Sequence, residues 1–248
     1  MPFFKAADKL VYYAHVPKCG GSAIADYLRD RFGTLAFHNN GYSALPQEAR
    51  WSRTSPQHID AASLERVIPL SMFDAMFSIV RHPVARLVSS YHFHLEVEKS
   101  ISPDTSFGDW LTILEGDAGG VFRFDNHTRP MSEIVPSNAK VFRMEDGLDQ
   151  LVTWFDALTG QEDGPRSIEK KNARGDYGGA RGQKVVPTDD ELHRISVLYA
   201  VDFERFGYEL KKGRPPGAFD ENRPAHRGDT GSSSLAHRIG KRLRRLLG

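Results

Sequence analysis

The stretch HVPKCGGSA, residues 15–23, places a lysine, the chain's single cysteine and a glycine pair directly after the apolar run LVYYAHV. A glycine turn between a strand and a helix aims several backbone N–H groups at one point, and the helix dipole adds partial positive charge there. Glycine lets a ligand approach the main chain closely, and Lys18 adds a full charge. The chemistry that suits these types and this spacing is the holding of an anion, a phosphate or a sulfate ester. The lysine precedes the glycines, so the pattern is not G-x-x-x-x-G-K-[ST]. The same residues would also serve as a plain strand-to-helix turn with a solvated lysine.

A second segment, SIVRHPVARLVSS, shifts that balance. Arg81 falls at the carboxyl end of the apolar run FDAMFSIV, where open α/β sheets bind their ligands. Ser89 follows eight residues later, about two helical turns on. A guanidinium and a hydroxyl so placed can grip a second phosphate. Two anion sites at neighbouring strand ends imply a ligand with two anionic groups.

The elements that must position these residues read clearly. LVYYAHV (10–16), FDAMFSIV (73–80) and AKVFRME (139–145) are rich in β-branched and aromatic residues and read as strands. After Gly21, Ile24, Tyr27, Leu28 and Phe32 share one helical face. Helices follow the other two strands: one after Pro83 with Leu87, Val88, Tyr91 and Leu95 inward, and one over residues 146–160 that ends at Gly160. Thr188 and Glu191 form a capping box for a helix that runs on through residue 208. Strands alternating with helices predict an α/β fold with a parallel sheet. Residues 34–57 are polar and irregular, and 167–184 read as a glycine-rich basic loop.

With 248 residues, 40 % hydrophobic and 26 % charged, the chain suits one large domain, residues 1–210. No apolar stretch approaches the roughly 20 residues of a membrane-spanning helix. The N-terminus has no basic region ahead of an apolar core, and one cysteine excludes an internal disulfide; both point to a cytoplasmic protein. Residues 211–248 carry ten Lys/Arg and three Asp/Glu, about +7, against about −6 for the rest. They predict a flexible basic tail in which LAHRIGKRLRRLLG forms a short amphipathic helix. Such a helix suits an anionic membrane surface, peripheral and on the inner face, or a solvated end. Nucleic acid is not expected, because the body is acidic and lacks aromatic–basic interleaving.

HVPKCGGSA resembles the 5′-phosphosulfate loop of PAPS-dependent sulfotransferases, and RHPVARLVSS resembles their 3′-phosphate motif, in the same order. The nearest likeness is to the carbohydrate-type branch, heparan sulfate 2-O-sulfotransferases and bacterial relatives. FDNHTRPMS (124–132), KKNARG, and LYAVDFERFGY are similar to it too. The resemblance spans about residues 10–208 and implies a P-loop-NTPase-like three-layer α/β fold. It implies that Lys18 offsets charge on the bridging oxygen as the sulfuryl group leaves PAPS. The N–H groups of Cys19, Gly20, Gly21, Ser22 and Ala23 and the Ser22 hydroxyl would hold the 5′-phosphate, and Arg81 and Ser89 the 3′-phosphate. Lys171 and Asn172 would contact the nucleotide from a closing loop, and Asn126 and Arg129 would face the acceptor, a carbohydrate or glycoconjugate hydroxyl. His58, between the two nucleotide motifs, would be the base. His15 would support the loop, and His127 would touch the acceptor. No metal is implied, and no metal-binding carboxylate cluster is evident. Cys19 stands where Thr or Ser is commoner; a thiol at a helix N-terminus beside a lysine can have a lowered pKa, but the residue reads as a tolerated variant that loses the hydroxyl and keeps the backbone N–H. The rival readings are a nucleotide phosphotransferase, which would want a lysine after the glycines, and a non-catalytic anion-binding or membrane-binding module on the same fold.

Overall fold

The computed structural model describes residues 2–116, 122–169 and 184–210. Lys171 and Asn172 and the tail 211–248 lie outside these. Four strands form one sheet in the order β1 (Phe3–Ala6), β2 (Lys9–Ala14), β3 (Ala75–Val80), β4 (Lys140–Arg143). β2, β3 and β4 run parallel, as the alternation of strands and helices requires. β1 is antiparallel to β2, so the sheet is mixed rather than purely parallel. The β1–β2 hairpin turns on Ala7 and Asp8, with Ala7 at φ 54°. That turn lacks the Asn-Gly or Asp-Gly pair that marks a hairpin in sequence.

Helices cover both faces of the sheet. On one face, Val11, Tyr13, Phe77 and Ile79 pack against Ile24 and Leu28 of α1 (Gly21–Phe32). On the other, Tyr12, Ala14 and Met76 pack against Ile59, Phe73 and Leu64, the last from α2 (Ala61–Glu65). α3 (Pro83–His92) follows β3 and widens into a π-helical turn at Phe93–Val97. It joins Trp110 and Leu111 of α4 (Phe107–Gly116) in a separate helical core. α5 (Met131–Ile134) leads into β4, and α6 (Gln150–Thr159) returns Leu151 and Phe155 to the first face.

The capping box forms: the Glu191 N–H donates to Thr188 Oγ1, and the Thr188 N–H to Glu191 Oε2. The helix it starts is not continuous. It breaks at Tyr199 into α7 (Asp189–Leu198) and α8 (Ala200–Phe206). The break lets the Tyr199 hydroxyl donate to the Thr128 carbonyl at 2.6 Å and turns Asp202 inward. The fully buried Asp202 carboxylate accepts the N–H groups of Met131 and Ser132, each at 2.8 Å. α8 thereby fixes the downstream end of the segment 122–130. No helix of the described residues is long and apolar enough to cross a membrane.

Replacing Asp202 by Ala leaves the buried Met131 N–H and the part-buried Ser132 N–H unmet. We expect a loss of about 2–4 kcal/mol in urea unfolding, with Asp202→Asn losing less.

Candidate active site

The site is built at the adjacent carboxyl ends of β2 and β3. Beyond Ala14 the chain enters the turn that ends on Gly20, the left-handed residue (φ 82°) that starts α1. Lys18 is also left-handed, at φ 68°. Left-handed residues in so short a span curl the main chain into a concave nest of N–H groups. No side chain caps α1, so its first N–H groups remain available to an anion. The requirement for glycine at position 21 has a different origin. A Cβ there would stand 1.8 Å from Nε2 of His15, so the glycine makes room for an imidazole behind the loop.

One cavity of about 700 Å³ is lined by Lys18, Gly20, Gly21, Ser22, Ala23, Arg81, Ser89 and His58. Arg81 donates from Nη1 to the Lys18 carbonyl at 3.2 Å, which ties the end of β3 to the glycine loop. The Lys18 ammonium lies 3.8 Å from the centroid of the Phe93 ring, a cation–π contact. Burial lowers its pKa to about 8; the neighbouring Arg81 charge adds to the fall, against Cys19 and Glu98. An anion would relieve that cost.

Four histidine rings of one packed cluster line this cavity, His15, His38, His58 and His127, with His94 packed on His127; His92 lines it separately, its Nδ1 hydrogen-bonded to Glu96. His15 stacks on Tyr13 at 5.1 Å, on His38 at 6.3 Å, and meets His58 edge-on at 5.0 Å. His127 lies 5.0 Å from His58 and 4.9 Å from His94. Burial holds His15 and His127 well below the ordinary imidazole range, and lowers His38 and His94 to about 4. His58 is the ring of this group that holds a carboxylate: its Nδ1 hydrogen-bonds Asp125 Oδ2 at 2.7 Å. Burial alone would raise the Asp125 pKa, but His58 and the Ser55 N–H and hydroxyl outweigh it. The carboxyl stays below its usual range. This pairing fixes the ring and leaves its outer nitrogen as a proton acceptor, the arrangement of an oriented general base.

Asp125 reaches His58 from an unusual backbone. Phe124, Asp125 and Asn126 are consecutive left-handed residues, φ 55°, 53° and 62°, at a cost of roughly 1–2 kcal/mol each. Several contacts hold them there. The Asn126 side-chain amide donates to the His58 carbonyl at 2.8 Å. Arg86, 2 % exposed, donates to the carbonyls of Pro17 (3.1 Å), Arg129 (2.8 Å) and Asn126 (3.5 Å).

Two sequence expectations need correction, those for Asn126 and Arg129. Asn126 is fully buried and holds His58 from behind instead of facing an acceptor. Arg129 pairs with Glu133 at 2.8 Å and Asp60 at 3.6 Å; neither it nor Asn126 lines the cavity. Cys19 is buried, with Sγ 3.7 Å from the Pro17 carbonyl, and burial pushes its thiol up to about 12 in spite of the nearby arginines. It is an inert packing group, not an activated thiol. Sequence reasoning missed Asp125, Arg86 and Phe93. The Asp-Asn pair was a signal, because these two types tolerate left-handed backbone. Arg86 gave none, since it interrupts an apolar helix face.

The chain belongs to the sulfotransferase family: the model of that family matches residues 1–209. No curated protein and no solved structure gives a match. Sulfuryl transfer is therefore the general chemistry of the domain.

Gly21→Ala should cost about 2–3 kcal/mol through overpacking, read by urea denaturation. Adding His15→Ala should return much of that loss, which a purely anion-binding role for Gly21 would not allow.

Proposed function

We propose that this chain moves a sulfuryl group from PAPS to a hydroxyl of a carbohydrate or glycoconjugate. The observation that carries the reading is that a single cavity is lined by the Lys18 loop, by the Arg81 and Ser89 pair, and by the Asp125-oriented His58. The residues fit a nucleotide with phosphates at both ends. The uncapped start of α1 and Ser22 suit the 5′-phosphate, and Arg81 with Ser89 suits the 3′-phosphate. The nucleotide brings the activated sulfuryl group; the chain supplies position and charge. Lys18 opposes the negative charge that builds on the bridging oxygen as the S–O bond breaks. His58 takes the proton of the acceptor hydroxyl as its oxygen attacks sulfur in line, and Asp125 balances the imidazolium that results. The other rings of the group stay neutral and add no competing charge. The lining also carries the polar side chains of Asn40, Ser43, Ser55 and Gln57 alongside Asp26, Arg29 and Asp125, a mix of donors and acceptors that supports a hydroxyl-rich acceptor.

Calorimetry should show PAP binding far more tightly than AMP, with Arg81→Ala removing most of the difference, on the order of 10–100-fold. Equal affinity for PAP and AMP in the wild type would end the two-phosphate reading. Lys18→Ala should fold normally and lose transfer from labelled PAPS.

The lysine also sets a pH dependence. The groups around Lys18 are Arg81, Cys19 and Glu98, with His94 and His127 held neutral. Free Lys18 titrates near 8, and a bound anion raises that value. Binding then takes up a proton above pH 8, and affinity falls by up to roughly tenfold per pH unit. Calorimetry in two buffers of different ionisation enthalpy should detect this uptake, and Lys18→Met should abolish it.

A further inference from the structure

We propose that His58, Asp125 and His127 form a site for a divalent transition metal of the zinc type, and that filling it takes His58 out of use as a base. One donor atom from each of the three side chains lies within 4.8 Å of the others. His58 Nδ1 and Asp125 Oδ2 are already 2.7 Å apart. His127 is buried, and its Nδ1 has no hydrogen-bond partner, so a donor stands ready with nothing to hold. All three residues line the cavity, which gives an ion its way in. Two imidazoles and one carboxylate are the donors of open zinc sites, which keep a further position for a small ligand.

The fit requires a small adjustment. Donors around a tetrahedral zinc ion are about 3.4 Å apart, so the ion must draw His127 inward and part His58 from Asp125 slightly. Asp125 lies in the left-handed turn and His127 directly after it, two residues on, so one movement of that short segment serves both.

The ion takes the place of the proton that His58 and Asp125 share. In the neutral ring the Nδ1–H bond breaks, a metal–Nδ1 bond forms, and the proton is re-bound at Nε2 through solvent. The carboxylate is already ionised and gives up no proton. Nε2 then carries hydrogen and has no lone pair for an acceptor proton. The loss of activity that follows rests on the sulfuryl-transfer reading, whereas the binding itself does not.

The test is to titrate Zn²⁺ into the full chain against a chromophoric chelator, and to repeat with Co²⁺ followed by visible absorption. We expect one zinc ion bound and the intense bands of a four-coordinate cobalt site. Asp125→Asn and His127→Gln should each weaken binding roughly tenfold or more, with far-UV circular dichroism confirming that the variants fold. PAP affinity should persist with the ion bound, since Lys18, Arg81 and Ser89 are untouched. Unchanged metal affinity in both folded variants, a pale six-coordinate cobalt spectrum, or no binding at all would overturn the site. If zinc binds as described and the metal-free enzyme transfers no sulfuryl group, the metal site stands and the functional reading falls. If transfer occurs and zinc does not bind, the reverse holds.

Discussion

The arrangement depends on one buried cation. Arg86 projects from α3 between two loops that are distant in sequence and gives its N–H groups to the carbonyls of Pro17, Asn126 and Arg129. Pro17 immediately precedes the lysine of the glycine loop. Asn126 and Arg129 belong to the segment that supplies Asp125 and His127. The glycine-loop side and the His58 side of the cavity are thus fastened to the same guanidinium. A charged donor to a carbonyl is among the stronger single contacts in a protein, and a rigid planar fork is suited to fixing several carbonyls at once. A lysine in its place would offer a point charge without that geometry.

The histidine group shows how burial divides similar residues into different roles. His15, His38, His94 and His127 are driven neutral because charging them in this interior is costly. They fill space, stack and hydrogen-bond. His58 has a carboxylate beside it and can accept a proton without leaving the charge alone. The strained turn that brings Asp125 there is held by Asn126 and Arg86, so the backbone cost is met by contacts outside the His58–Asp125 pair.

Much of this was legible in the chain. The strands, the glycine turn and the helices after them announce themselves through apolar period and punctuation, and the parallel pairing of β2, β3 and β4 follows. β1 did not, because four residues and an Ala-Asp turn carry no hairpin signal. The helix after Thr188 reads as one piece, because its break is imposed by tertiary bonds of Tyr199 and Asp202. Of the residues around the cavity, Lys18 and Arg81 are readable from their strand-end positions and Ser89 from its spacing two helical turns on, whereas Ser22 enters through the family resemblance. Asp125 could not be matched to His58, which lies 67 residues away. At Cys19 the sequence shows the helix terminus and the lysine, but not the burial that overrides their effect on the thiol.

Lys18 sits where two demands on a protein diverge. Its left-handed backbone favours glycine or asparagine, and its half-hidden ammonium is held in place at an energetic cost. A chain optimised only for durability would discard the lysine at that position. On the proposed function, its presence there marks a local weakness retained for chemistry, and engineering for heat resistance would then erode activity first at this point.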